Sequence, residues 1–426
     1  MMLQDQSLIE RRYSVLGRHS PLFYDRPVHL VRGEGAWVYD ADGRRYLDVY
    51  NNVPHVGHCH PQVLDAMTRQ AAALNVHSRY LHEGIVAYAE RLTATFDAPL
   101  SAAMFCCTGT EANELALRIA RQRSGATGII VTDCSYHGNS DGLVRLTTSM
   151  PTGLPFPDHA RAIRVPDLHR ADPGLSADAL AQAYADAVAV AIDSLQKAGH
   201  GVAAILLETI FSAEGLPDVP PGFLEKMVGL VRNAGGLFIA DEVQSGLART
   251  GDHMWGHQSY AVTPDLVTLG KPLGNGYPLA AVIASADMVE DFGPGYFNTF
   301  AANPVAAAAG MAVLDIIEKE ALRDNARTVG AYIRGGLSRL AERHPILGAV
   351  RGRGLFFGVE LVRDRETGEP APEETVRLVN AMRDRGVLLS RIGPGGNVLK
   401  MRPPMVFTTE QADLLLSTLD DGLSAL

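Results

Sequence analysis

Between residues 102 and 284, short apolar runs alternate with longer amphipathic stretches, and this alternation most constrains the fold. Runs at 102–107, 128–132, 203–207, 237–240, 266–269 and 279–284 have the length of strands. The stretches 111–122, 177–197 and 223–233 repeat apolar residues at helical spacing, and Gly235-Gly236 closes the last of them. Strands that alternate with helices are joined by crossovers. The resulting sheet is mostly parallel, with helices on both faces.

The flanking segments follow other patterns. Residues 36–50 alternate apolar and polar around Asp42-Gly43, a hairpin signal. Residues 61–73 form a helix opened by Pro61, and 85–95 form another. Beyond 304 come helices at 305–319 and 328–343, a strand at 352–362 and a helix at 373–385. A strand at 387–389 and a helix at 410–419 complete a smaller α+β unit. A chain of 426 residues suits two domains. The expected division is an N-terminal segment, 1–60, packing with the small domain, a large domain, 61–304, and a small domain, 305–426.

Hydrophobic residues at 46% and charged residues at 20% describe a globular chain, and a net charge of −10 argues against non-specific nucleic-acid binding. No run is long enough to span a membrane, and the Ala-rich stretch 183–195 is broken by Asp186 and Asp193. Residues 1–12 carry acids and lack the apolar core of a secretory signal. Cys59, Cys106, Cys107 and Cys134 lack paired metal-ligand spacing, and Cys106-Cys107 lies in an apolar run, so buried free thiols are favoured, which suits a reducing cytoplasm.

In an open α/β sheet, ligands bind beyond the carboxyl ends of the strands. Thr108-Gly109-Thr110, Glu208, Asp241 and Lys271 all fall at such ends. A lysine and an aspartate placed there suit pyridoxal phosphate chemistry. The lysine forms a Schiff base and the carboxylate partners the pyridinium nitrogen. The alternative is a solvated lysine and an unrelated acid. Thr108-Gly109-Thr110 opens a helix whose free N–H groups can hold a phosphate, or it is a cap completed by Glu111. Tyr136, in Tyr136-His137-Gly138, can stack on a flat ring or simply pack at a strand end. Val243 can press the other ring face and Gln244 can reach a ring hydroxyl. Gly270-Lys271 is no nucleotide P-loop, because Pro272 occupies the required Ser/Thr position. His55, His58 and His60 cluster without supporting carboxylate or cysteine spacing, so turn and cap roles are favoured over a metal.

Taken together, these motifs resemble the class III aminotransferases among the fold-type I pyridoxal phosphate enzymes. The matching stretches are Thr108-Gly109-Thr110-Glu111-Ala112-Asn113, Tyr136-His137-Gly138, Asp241-Glu242-Val243-Gln244, Leu269-Gly270-Lys271-Pro272, Asn298-Thr299-Phe300 and Arg402-Pro403-Pro404. The resemblance covers nearly the whole chain. It implies an α/β fold with a mostly parallel seven-stranded sheet, and pyridoxal 5'-phosphate as cofactor. Lys271 and Asp241 would be catalytic. Gly109, Thr110, Tyr136, His137, Glu208, Val243, Gln244 and Thr299 would join them around the cofactor. Thr299 would reach the phosphate of a neighbouring subunit, which implies a homodimer with shared active sites, or a tetramer. Glu208 and Arg402 would pair at the substrate end. Thr110 stands where serine is usual, and Ala301-Ala302 replaces a common Gly-Gly pair.

Asn51-Asn52-Val53-Pro54-His55-Val56-Gly57-His58, Ser78-Arg79-Tyr80-Leu81-His82 and Asn397-Val398-Leu399-Lys400-Met401-Arg402 point more narrowly. They are similar to the ethanolamine-phosphate phospho-lyase branch and its alanine–glyoxylate aminotransferase 2-like relatives. The activity this implies is elimination of phosphate from O-phosphoethanolamine. The alternative is transfer of an amino group from an amine or amino acid to a keto acid. A non-catalytic cofactor-binding protein is disfavoured by the intact Lys271 and Asp241. A dianionic substrate calls for cations. Arg18, Arg79, Lys400 and Arg402 are the candidates, with Tyr50 and Asn51 as hydrogen-bond donors.

Overall fold

The computed structural model describes residues 7–171 and 174–426. The expectation about residues 1–12 therefore falls partly outside the described residues. An N-terminal helix, Leu8–Leu16, is followed by strands β1 (Leu30–Glu34), β2 (Trp37–Asp40) and β3 (Arg45–Asp48). The large sheet is built from β4 (Ala102–Cys106), β5 (Ile129–Thr132), β6 (Ala160–Ile163), β7 (Ala204–Glu208), β8 (Leu237–Asp241), β9 (Leu266–Leu269) and β10 (Ala280–Ala284). The C-terminal part contributes β11 (Leu347–Arg353), β12 (Phe356–Asp364), β13 (Glu369–Pro370), β14 (Val387–Leu388), β15 (Ser390–Ile392) and β16 (Val398–Met401).

The seven strands of the large sheet lie in the order β4-β10-β9-β8-β7-β5-β6. Pairings β9–β8, β8–β7, β7–β5 and β5–β6 are parallel, and β10 runs against both its neighbours. Its connection from β9 is short enough to turn back directly, so no crossover helix intervenes. The central strands β7, β8, β9 and β10 are buried along their whole length, as expected of a sheet covered on both faces. Two apolar clusters, one on each face, enclose it.

The smaller sheet runs β11-β12-β16-β15 and is antiparallel, with β13 on the side of β12. The hairpin at Asp42-Gly43 forms between β2 and β3, and β3 pairs in parallel with β14, so chain beginning and chain end share one sheet. Helix Pro61–Ala73 starts at its proline and is capped by His60, whose Nδ1 accepts the N–H of Gln62 at 3.3 Å. The other two histidines of the cluster go elsewhere. His58 Nε2 meets Asp48 at 2.7 Å, and His55 Nε2 meets the Leu247 carbonyl at 2.7 Å. The thiols also divide. Cys106 and Cys134 are buried, Cys107 is half-buried and Cys59 is exposed, so burial does not hold for the whole set. None of the described helices is long and apolar enough to cross a membrane.

Candidate active site

The parallel strands direct their carboxyl ends to one edge, where two adjoining cavities open. The deeper one, of about 320 Å³, is lined by Gly109, Thr110, Tyr136, His137, Glu208, Asp241, Val243, Gln244 and Lys271. The wider one, of about 730 Å³, is lined by Tyr50, Lys400 and Arg402, and shares Tyr136, Gln244 and Lys271 with the first.

Asp241 ends β8 and is in register with Glu208 on β7. Burial alone would favour its neutral form, yet its pKa is lowered. The cause is its hydrogen bonds. Oδ2 accepts from His137 Nδ1 at 2.8 Å and Asn113 Nδ2 at 2.9 Å, and Oδ1 accepts the Val243 N–H at 3.0 Å. Asn113 is itself fixed, accepting from Thr268 Oγ1 at 2.6 Å and donating to the His137 carbonyl at 2.7 Å. Asn113 closes the stretch Thr108-Gly109-Thr110-Glu111-Ala112-Asn113, but its contact with Asp241 arises only in the fold.

Lys271 follows β9 and Gly270, with a φ of 24° that L residues rarely adopt. Such strain persists where surrounding structure enforces it, commonly at functional sites. The side chain projects into the cavity and is exposed there. Its pKa is still lowered, first by desolvation and then by Arg402, against the opposing pull of Asp241 and Glu208. A lowered pKa leaves more free amine for nucleophilic or base chemistry.

Helix Gly109–Ser124 begins at the cavity wall. Its capping box is complete, with Thr108 Oγ1 accepting the Glu111 N–H at 3.1 Å. The cap and the anion site are therefore compatible, because the first N–H groups of the helix, at Gly109 and Thr110, lack intrahelical acceptors by position. The Thr110 hydroxyl donates to Asn139 at 3.2 Å. A Cβ on Gly109 would sit 3.0 Å and 3.2 Å from the Val243 methyls, so glycine keeps this wall open. Tyr136 presents its ring to both cavities. An amine, an ionised carboxylate, an aromatic face and a helix N-terminus around about 320 Å³ fit a flat pyridine bearing an aldehyde and a phosphate.

The substrate end differs from expectation. Glu208 and Arg402 are not joined by an ion pair. Glu208 accepts the N–H groups of Ser212 at 2.6 Å and Ile210 at 3.4 Å, and burial pushes its pKa up to about 8. Arg402 donates through Nε to the Tyr50 carbonyl at 2.9 Å and through Nη1 to Gln244 Oε1. Lys400 donates to the same Gln244 oxygen at 3.3 Å. Gln244 thus joins the two cavities through its carbonyl oxygen, while its amide donates to Ser212 at 2.7 Å. Lys400 on β16 and Arg402, one residue beyond its end, both line the wider cavity.

Four expected residues line neither cavity in the single chain, and one of them, Asn51, instead donates its amide to Asp48 Oδ2 at 3.1 Å. Arg18 stacks over Tyr13, and Arg79 stacks over Phe297 at 3.7 Å from the ring centroid. Thr299 sits in an exposed segment. Conversely, Ser149, Met150, Ser390 and Ile392 line the wider cavity without having been singled out in the sequence. They bear no charge, and their loops are brought there only by folding.

The model of the aminotransferase class-III family matches residues 23–423. The chain belongs to the class III aminotransferase family. It is a pyridoxal phosphate-dependent enzyme with the fold-type I architecture. It is 37% identical, over 99% of its length and 88% of the other, to an alanine–glyoxylate aminotransferase 2-like protein of Drosophila melanogaster. It is 34% identical, over 98% and 93%, to ethanolamine-phosphate phospho-lyase homolog 1 of Caenorhabditis elegans. Among solved structures it resembles a phospholyase from Arthrobacter in complex with phosphoethanolamine. That likeness has a TM-score of 0.96 and 49% identity, and covers 99% of this chain and 100% of the other. A transaminase described with L-alanine is more distant, with a TM-score of 0.85 and 28% identity over 93% and 99%.

Proposed function

We propose that this class III family member is a phospho-lyase that converts O-phosphoethanolamine and water into acetaldehyde, ammonia and inorganic phosphate. The observation that carries this reading is the pair Lys400 and Arg402. Both are buried, both face the cavity that contains Lys271, and neither has a carboxylate in ion-pair contact among the described residues. A carboxylate substrate needs one guanidinium. Two adjacent cations match a dianion. The likeness to the Arthrobacter phospholyase supports the same choice.

Bound pyridoxal phosphate supplies an electron sink for the carbon that carries the substrate amine. Asp241, held ionised by His137, Asn113 and the Val243 amide, would be the partner of the pyridinium nitrogen. Lys271 would hold the cofactor through Nζ and would serve as the base for the proton on the amine-bearing carbon. Lys400 and Arg402 hold the phosphoryl group on the neighbouring carbon and take up its negative charge as it leaves. Tyr136 and Val243, which line the deeper cavity, would confine the cofactor ring. The N–H groups at Gly109 and Thr110 would receive the cofactor phosphate.

We assign the active unit as a homodimer. Thr299 and the exposed Tyr80, Leu81, Phe297 and Phe300 lie on surface outside the cavities, which suits a subunit contact. Sedimentation of the holoenzyme tests this, and a monomer at assay concentration refutes it. The reaction is tested by incubating holoenzyme with phosphoethanolamine and no keto acid. Catalytic release of phosphate and acetaldehyde is expected. Consumption of amine only when a keto acid is present would overturn the reading in favour of transamination, the activity in the Drosophila relative's name.

A further inference from the structure

Arg249 lies in the segment after β8, away from the cavity walls, and is fully buried. All of its hydrogen bonds go to neutral groups. Nη1 donates to the Leu355 carbonyl at 3.2 Å and to the Pro403 carbonyl. Nη2 lies 3.1 Å from His55 Nδ1. The His55 tautomer follows from its other nitrogen. Nε2 is 2.7 Å from the Leu247 carbonyl, which can only accept, so Nε2 bears the hydrogen and Nδ1 offers its lone pair to Arg249. His55 is accordingly neutral, and burial and Arg249 hold its pKa well down. Burial and the Arg402 charge bring the Arg249 pKa down to about 9, and no acid among the described residues offsets them.

A buried guanidinium without a counterion is unfavourable for folding, and an apolar side chain would fill the same space. Its neighbours indicate what the charge does. Pro403 directly follows Arg402. The Arg402 N–H donates to the Val49 carbonyl at 2.8 Å, and the Met405 N–H donates to the His55 carbonyl at 2.7 Å. Arg249 and His55 therefore pin the segment that presents Arg402 to the cavity. The geometry points to Arg249 as a positioning residue for the anionic end of the substrate. It holds Arg402 through the Pro403 carbonyl and adds a third buried positive charge behind Lys400 and Arg402. A phosphoryl group in the cavity is then the counterion of three cations. This inference rests on the phosphoryl-substrate reading above.

The test uses holoenzyme carrying Arg249→Met, Arg249→Gln or Arg249→Lys. Two probes are titrated separately: inorganic phosphate by calorimetry, and uncharged-tail n-propylamine by the cofactor's absorbance. A neutral residue at 249 should weaken phosphate binding on the order of tenfold, while n-propylamine changes by less than about twofold. Arg249→Lys, which keeps the charge without the planar fork, should recover most of the phosphate affinity. Equal loss of both probes assigns Arg249 to structure alone and overturns the inference. So does unchanged phosphate binding in the neutral variants. Failure of both neutral variants to fold beside an intact Arg249→Lys has the same meaning. If wild-type holoenzyme itself fails to bind phosphate, the phosphoryl-substrate reading falls, whatever Arg249 does.

Discussion

Lys400→Met removes a buried ammonium while nearly preserving side-chain length, and it should separate stability from activity. Lys400 is 6% exposed. Its amine has one hydrogen bond, at 3.3 Å to Gln244, and lies 5.5 Å from the Phe356 ring centroid. Desolvation, and next Arg402, hold its pKa well below the ordinary lysine value, with Glu208 opposing. In the window between the lowered folded value and the unfolded value near 10.4, the unfolded chain binds more protons than the native one. Stability therefore rises with pH through that window, and the penalty is greatest on its acid side. Replacing a buried ion by an apolar side chain of similar volume is neutral or stabilising by about 1–4 kcal/mol. We expect Lys400→Met to unfold at higher urea by roughly 1–2 kcal/mol at pH 6 to 7, with the gain shrinking toward pH 10. Losing a charged hydrogen bond to the phosphoryl group costs about 1.5–3 kcal/mol, or roughly 10- to 150-fold in kcat/KM. Urea unfolding of holoenzyme at three pH values and a phosphate-release assay measure the two effects. A variant less stable than wild type at pH 7, or one whose kcat/KM on phosphoethanolamine falls by less than about threefold, refutes the reasoning.

Three further outcomes follow from the site. Lys271→Ala should abolish turnover and the visible absorption of the lysine-bound cofactor, and survival of that band would contradict the assignment of Lys271. Glu208→Gln should leave stability unchanged below pH 4.5, since the ordinary and folded forms are then both protonated. Above the folded value of about 8 the wild type bears the full cost of a buried carboxylate. The variant should be more stable there by roughly 5 kcal/mol, and a flat difference between pH 4 and pH 9 in urea unfolding would refute this. Gly109→Ala places a methyl against Val243 and pushes that side chain toward the ring cavity. Overpacking of this kind costs about 1–3 kcal/mol, so cofactor affinity should fall by roughly 5- to 150-fold, read as cofactor loss on dialysis.

Local chemistry made much of the fold legible. Helices Pro61–Ala73, Ala177–Lys197 and Phe223–Asn233 begin and end where their periodicity, Pro61 and Gly235-Gly236 place them. Strand β9 has the expected bounds, β4, β8 and β10 differ by a residue at one end, and β7 is shifted by one residue at both. Strand β6 was not legible, because Ala-Arg-Ala-Ile at a sheet edge is too short and too polar to stand out. Strand β16 was hidden by Lys400, a charge that looks solvated in sequence and is buried in the fold. The helix expected at 328–343 starts earlier, at Leu322, because Leu322 and Ala326 are buried and extend the apolar face.

By itself, the sequence determined which residues carry chemistry and at which strand ends they stand. Lys271, Asp241, Glu208 and Thr108-Gly109-Thr110 are local facts of pattern and loop composition, and hydrophobic periodicity reaches that far. Tertiary structure decided what those groups meet. It turned β10 antiparallel, parted Glu208 from Arg402, carried Gln244 to both cations, and left Arg18, Arg79 and Thr299 outside the cavities of the single chain. It also set Arg249 behind Arg402 through a carbonyl that no motif encodes. The physical reason is range. Propensity and capping act within a few residues, while desolvation, charge coupling and cavity shape depend on segments that only the packed fold brings together.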